Sequence, residues 1–485
     1  MDTPGGKAYR PWTPDRYAQQ AHAPAAKLPE EDLVFFLLDV VPTLDLSPIQ
    51  ARYQDETRGA PPFDPAMMTC LLLYSYCVGV FSSRKIAQAC ERNRAFLAIV
   101  GTDRPDFRTI SLFRKDHLDA FADVFVQVLR LAQAAGLVRL GTIAVDGTKI
   151  QGNASRHKAM SSGYMTQEMV RIRAEIEALL KQAETVDAED EAVLGARRGD
   201  ELPDELRRRE DRLATIAAAM KRLEAEAEAA AAAEKQRREE ADAERQRTGT
   251  KRRGREPGPI VETPADQAQT NFTDPELSIM ATANKGWEYC GNAQASVDSE
   301  CQIILACDVT DQCNDKQQAE PMAEATRAQR DAAGIAPAPD ESGARPPIPA
   351  VLDTGYFSAA AVGAMEREGF DPYIATERQR HNQALPAAAV SPAVGAATVS
   401  PATPKEKMRA KLGTESGRER YARRKTIVEP VFGQIKEARG FRRFLLRGLA
   451  KIRGEWRLVC LTHNLLKIWR HGRIFVRGSR CALIN

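Results

Sequence analysis

The chain has 485 residues, 69 Lys+Arg against 66 Asp+Glu, a formal charge of +3 and 43% hydrophobic residues. That length predicts two to four units with at least one apolar core, and it excludes a wholly disordered chain. The charge is unevenly placed: residues 405–485 hold 22 basic and 6 acidic residues, a local +16, which leaves −13 on the first 404.

Residues 1–30 are polar and Pro/Ala-rich and read as a flexible arm. Asp2 and Pro4-Gly5-Gly6, with no apolar stretch beside them, give no secretory signal. No run approaches the ~18 apolar residues of a membrane span, so a cytoplasmic chain with no membrane partner is expected. The nine cysteines form no CxxC pair, which favours reduced thiols over a structural zinc site.

Residues 31–138 read as helical. Leu33 to Val41 and Pro65 to Gly79 are apolar runs, Ser82 stands where an N-cap would open a helix before Ile86 and Cys90, and a further start lies at Asp106. The texture changes at Gly141-Thr142-Ile143-Ala144-Val145-Asp146, where β-branched residues suggest a strand whose end carries Asp146. Asn292 to Val309 alternates as a hairpin would, and Ala350 to Asp353 and Tyr373 to Thr376 are further strand candidates. With helical patterns between them, the second half reads as α/β.

That half is interrupted by residues 164–256. Met165, Met169, Ile172, Ile176 and Leu179 recur at alternating spacings of four and three, and Leu206, Leu213, Ile216, Met220 and Leu223 continue the register with Arg209 in one core slot. Breakers between Gly195 and Pro203 favour an antiparallel helical hairpin or coiled-coil arm over one rod. Residues 227–248 offer little to pack and are expected to fray. The parts flanking the insertion, 139–163 and 257–385, then belong to one α/β core, which 405–485 completes after a Pro/Ala-rich linker at 386–404.

Three acids stand apart from the solvated charges. Asp146 and Asp353 each follow a short β-like apolar run, and Glu429 follows Ile427-Val428 in a segment crowded with cations. Such acids, brought together and poorly hydrated, would repel one another unless neutralised, and two Mg²⁺ or Mn²⁺ ions are the simplest answer. Two such ions suit in-line displacement at phosphorus. Taken singly, each acid could equally form a turn or cap a helix. If the stretch at Glu429 is helical with Pro430 in its first turn, Glu429, Phe432 and Lys436 share a face. Arg439-Gly440-Phe441-Arg442-Arg443-Phe444 interleaves aromatics with arginines, a pattern that suits nucleic acid, although Phe441 and Phe444 could equally be core.

With these residues in hand, the chain resembles the DDE transposases of bacterial insertion sequences, in the subgroup with an N-terminal helical domain and a helical insertion after the first acid. The resemblance rests on Phe63-Asp64-Pro65-Ala66-Met67-Met68, Ser82-Ser83-Arg84-Lys85-Ile86 and Pro105 to Arg114. It rests further on Ala144-Val145-Asp146-Gly147-Thr148-Lys149, Val351-Leu352-Asp353-Thr354-Gly355-Tyr356, and the closing Tyr421, Arg424, Glu429 and Lys436. Four residues separate Arg424 from Glu429 where three are usual, so the phosphate contact is open among Arg423, Arg424 and Lys425.

The resemblance implies an RNase H-like catalytic core, with Asp146, Asp353 and Glu429 as catalytic and metal-binding residues. It implies DNA-binding roles for Lys149, Tyr421, Arg424 and Lys436, to which the basic pattern adds Arg442 and Arg443. The implied substrate is double-stranded DNA, terminal inverted repeats and target alike, with a homodimer on paired ends. The N-terminal helices, 31–138, would read the repeats. Two rivals remain: a metal-dependent nuclease that does not join strands, and a decayed transposase that binds DNA as a scaffold.

Overall fold

The computed structural model describes residues 9–13, 24–53, 61–194, 204–249, 256–282, 286–377 and 403–472. The expected breakers at 195–203, most of the 386–404 linker, and Cys481 lie outside these. The chain divides into two compact units, one of Met1–Asn153 with Glu276–Asn485 and one of Ala154–Pro275.

In the first unit, the N-terminal half is helical: α1 (Leu33–Val40), α2 (Ser47–Ala51), α3 (Pro65–Cys77), α4 (Ser83–Arg92), α5 (Arg94–Val100), α6 (Phe107–Asp116) and α7 (Ala120–Ala134). Local chemistry sets their starts. The Asp64 carboxylate accepts from the N–H groups of Ala66 and Met67, and Asp106 accepts from Thr109 N–H at 2.7 Å, satisfying donors the first turn leaves open. Ser82 takes the N-cap position of α4, but its side chain makes no capping bond. Residues 9–13 are not a free arm: Arg10 N–H donates to Pro62 O at 3.1 Å and Trp12 Nε1 to Ile99 O at 2.9 Å.

The rest of this unit is a mixed sheet with helices. Its strands are β1 (Ile143–Gln151), then, past the residues of the second unit, β4 (Ser278–Ala281), β5 (Trp287–Asp298), β6 (Ile304–Thr310), β7 (Ile348–Leu352) and β8 (Phe370–Ile374); β2 and β3 belong to the second unit. The order is β4-β5-β1-β7-β8, with β6 also on β5. Strand β5 runs antiparallel to β1 and β6, whereas β1, β7 and β8 are mutually parallel. Helices α10 (Ala319–Ala332) and α11 (Ala359–Arg367) supply the crossovers, followed by α12 (Pro404–Gly413), α13 (Glu415–Ala422), α14 (Arg424–Ile427), α15 (Glu429–Gly433), a π-turn over Gln434–Ala438 and the long α16 (Leu449–His471).

Helix α16 is buried along most of its length, with Leu458, Leu461 and Leu465 inaccessible, as their spacing of three and four predicts. Trp456 donates Nε1 to Gln294 O at 2.9 Å. Glu455, fully buried, accepts from the N–H groups of Leu445 and Leu446 and from Tyr76, which in turn accepts from Arg114. This buried acid fixes the loop that precedes α16. Phe441 and Phe444 are core residues, 1% and 0% exposed, in an aromatic cluster with Phe81 and Trp456. The alternative of base stacking therefore falls away.

The second unit holds a short ribbon of β2 (Ala159–Ser161) and β3 (Gln269–Asn271), and two helices, α8 (Ser162–Leu194) and α9 (Asp204–Thr248). Met165, Ile172, Ile216 and Leu223 form its core. Glu168 pairs with Arg212 and Glu175 with Arg209, so one helix rises as the other falls and the two run antiparallel. Arg209 fills its apolar slot by reaching a carboxylate rather than by packing. Residues 227–248 are helical through Thr248, where fraying was expected. Alanine's high helix propensity and the Glu234–Arg238 pair stabilise that stretch without a deep core.

No described helix is long and apolar enough to cross a membrane. All eight described cysteines are free thiols.

Candidate active site

Parallel pairing of β1 with β7 runs Ile143 to Ala350, Ala144 to Val351 and Val145 to Leu352. The next residue in each chain segment is an aspartate, so the register brings Asp146 and Asp353 side by side, close enough for the charge of Asp353 to act on Asp146. Asp146 is not at the end of β1, as the sequence suggested, but inside it: β1 continues along β5 to Gln151 after its pairing with β7 has stopped. Asp353 leaves its strand and caps a short turn, its Oδ1 accepting from Gly355 N–H at 2.6 Å.

The third acid comes from the basic segment. Arg424 donates to Asp146 Oδ2 at 2.7 Å and reaches Glu429 Oε1 at 3.3 Å. The Asp146 and Arg424 side chains are only 16% and 14% exposed, against 50% for Glu429. Of the three candidate cations, Arg424 turns inward, and Arg423 and Lys425 are exposed. Burial pushes the Asp146 carboxyl up to about 7; Arg424 opposes this, and the negative charges of Asp353 and Asp315 add to it. Burial disfavours charge on Arg424 too, but Asp146, Tyr421, Glu429 and Asp353 outweigh it and raise its pKa.

The other expected residues divide by environment. Tyr421 is half-buried beside Arg424, its phenol pushed up by burial. Lys436 donates to Thr148 Oγ1 at 3.0 Å and Lys149 O at 3.2 Å, and burial lowers its pKa. The π-turn at 434–438 interrupts the helical phase, so the simple face of Glu429, Phe432 and Lys436 does not carry through. Phe432 is core, whereas Glu429 lies on Arg424 and Lys436 on β1. Lys149 donates to Ala281 O at 2.9 Å. Exposed Arg442 pairs with Glu437, and Arg443 donates Nε to Gly152 O at 3.1 Å, next to the bridge that ties residue 443 to Gln151.

Sequence reasoning missed a group beside these acids. Asp315 Oδ1 accepts from Asn292 Nδ2 at 2.8 Å and Gln294 Nε2 at 2.7 Å, and Gln294 Oε1 accepts from Tyr356 OH. The available signal was two amides, Asn292 and Gln294, alternating with the small residues Gly291, Ala293 and Ala295.

Two family models match the chain, one described as Transposase DDE domain over residues 394–469 and one as Transposase domain (DUF772) over residues 23–116. The chain thus carries a transposase DDE domain and a second transposase domain. It is a DNA-cleaving and DNA-transferring enzyme whose substrate is DNA. The match to the DDE domain includes Tyr421, Arg424, Glu429 and Lys436; Asp146 and Asp353 lie outside it. No curated protein and no solved structure matches this transposase.

DDE transposases generally use divalent metal ions. The site fits such an ion in kind: its donors are hard carboxylate oxygens, and a cation would relieve the repulsion that helps raise the Asp146 pKa. In arrangement, among the described residues, no three acids, histidines or cysteines stand close enough to share one ion. Asp146 and Asp353 are the pair that fits, and Glu429 is turned toward Arg424.

Proposed function

We propose that the transposase cuts DNA at the ends of an insertion sequence and joins the freed 3′-hydroxyl to target DNA, using Asp146, Asp353 and Glu429 in an RNase H-like core. The observation that carries this reading is the register that sets Asp146 beside Asp353, with Arg424 linking Asp146 to Glu429. The sheet order supports the fold reading: antiparallel strands lie on one side of β1 and two parallel strands on the other.

Asp146 and Asp353 would hold Mg²⁺ or Mn²⁺, two ions in all, with Glu429 completing the set. Such ions, when bound, activate a water and stabilise the attacking and leaving oxygens of an in-line displacement. The chain's own residues do the rest. Arg424 and Lys436 hold positive charge beside the acids and orient phosphates, Tyr421 braces Arg424, and the half-buried Lys149 with the exposed Arg442 and Arg443 track the backbone. Helices of residues 31–138 read the terminal repeats, and two copies pair two ends.

Incubation of the chain with DNA carrying the element's ends, a supercoiled target and Mg²⁺ tests this. Nicked ends and joined product are expected. Cleavage without joining would make the protein a nuclease, and binding without cleavage would make it a scaffold. Asp146→Asn, Asp353→Asn or Glu429→Gln should each slow cleavage by about 1000-fold with DNA affinity kept.

A further inference from the structure

The two glycines of the acid motifs, Gly147 and Gly355, have no part in the chemistry above, yet both face the same side chain. A β-carbon on Gly147 would stand 2.2 Å from Gln294 Nε2, 2.8 Å from Asn292 Oδ1 and 2.8 Å from Asp315 Oδ1. One on Gly355 would stand 2.9 Å from Asp353 Oδ1, 3.7 Å from Asp315 Oδ2 and 3.8 Å from Asp315 Cβ. Real β-carbons essentially never come within 3.0 Å of another heavy atom. The absent side chain of Gly147, one residue after Asp146, thus makes room for the Asp315 carboxylate, and Gly355, two residues after Asp353, makes room for the Asp353 carboxylate while lying at van der Waals distance from Asp315.

Its orientation is fixed. Asn292 and Gln294, 2% and 0% exposed, both donate to Oδ1. Gln294 is held in turn by Tyr356, the residue that follows Gly355. Among the described residues no donor reaches Oδ2. Two buried amides aimed at one oxygen of a carboxylate hold it in place, which an ordinary turn-forming aspartate does not need.

We propose that Asp315 is a positioning residue for the acid pair: it wedges the strand after Asp146 against the turn after Asp353 and adds a third negative charge beside them. This rests on the reading of Asp146 and Asp353 as the divalent-ion pair. Its consequence is tighter cation binding, because a charge several ångströms away in a half-buried site changes the affinity for a divalent ion by about tenfold or more.

The test uses the full chain and Mn²⁺ as the probe, with free Mn²⁺ followed by electron paramagnetic resonance and the melting temperature followed in parallel. Asp315→Asn keeps an oxygen for the two amide donors and removes only the charge. It should melt as the parent does without metal, bind end DNA equally well, and need about tenfold more Mn²⁺ for half-saturation. Asp315→Ala should show the same Mn²⁺ shift and a lower melting temperature as well, because both amides lose their acceptor.

An unchanged Mn²⁺ midpoint in Asp315→Asn, beside a weakened one in Asp146→Asn, would overturn the role of Asp315 alone. Unchanged midpoints in both would overturn the acid-pair reading with it. A lowered melting temperature in Asp315→Asn with no Mn²⁺ shift would reduce Asp315 to a structural residue and overturn the proposal.

Discussion

The acid site and the inserted helical pair are built by opposite strategies. In the insertion, many contacts follow from local spacing: the apolar residues recur three and four apart on each helix, and the Glu168–Arg171 and Glu234–Arg238 pairs are one helical turn apart. In the sheet, Asp146 meets Arg424 across 278 residues, and Lys436 meets Thr148 across 288. The insertion can lose a contact and remain a helix. The site exists only if strand register and the C-terminal segment are both correct.

The largest effect expected from breaking this contrast is on catalysis. Asp353→Asn should slow strand cleavage by about 1000-fold, roughly 4 kcal/mol of transition-state stabilisation, whereas Ile172→Ala should leave cleavage within a few-fold, measured on the same end DNA. Equal losses would mean the insertion is not independent of the chemistry.

Next is pH. The Asp146 carboxyl is raised in the folded chain to about 7 from its ordinary 3.8, so the folded state holds a proton that the unfolded state gives up. That stabilisation is complete below about pH 4 and is lost as pH rises to about 7. In metal-free buffer, Asp146→Asn should therefore match the parent near pH 4 and exceed it near pH 8 by up to about 4 kcal/mol. Denaturant titrations at the two pH values measure the difference, and a gain confined to low pH would contradict the assignment.

Smaller changes sharpen the comparison. Ile172→Ala, in the core of the helical pair, should cost about 2–4 kcal/mol, read as lost hydrogen-exchange protection in α8 and α9 with the sheet unchanged. Gly147→Ala should cost about 1–3 kcal/mol from overpacking against Asn292, Gln294 and Asp315, with the loss of protection in β1 and β5. Smallest is Arg442→Gln: its exposed pair with Glu437 stabilises by under about 1 kcal/mol, but one lost phosphate contact should lower the salt slope of DNA binding by about 0.9. An unchanged slope would remove Arg442 from the DNA surface.

The same contrast explains what was legible in the sequence. The helices at Asp64 and Asp106, the hairpin around Asp298, the strands ending before Asp353 and the helical insertion all follow from composition and periodicity within a short window. Asp146, Asp353 and Glu429 were visible as acids in unlikely company. Asp315 was not: in Asp311-Gln312-Cys313-Asn314-Asp315 it looks like any turn former, and only the register that aligns Gln294 with Gly147 brings it to the site. The inward turn of Arg424 and the π-turn at 434–438 likewise depend on packing against β1. Phe441 and Phe444 were ambiguous because a buried aromatic and a base-stacking one have the same sequence.

The central claim is that strand register assembles one divalent-ion site from Asp146 and Asp353. Replacing Mg²⁺ with Fe²⁺ and generating hydroxyl radicals at the bound ion would cut the backbone wherever the ion sits. Cuts clustered at 144–148 and 351–355, with a weaker set near 429, and their loss in Asp146→Asn, are the predicted result. Cuts elsewhere in the chain, or a pattern unchanged by that substitution, would contradict it.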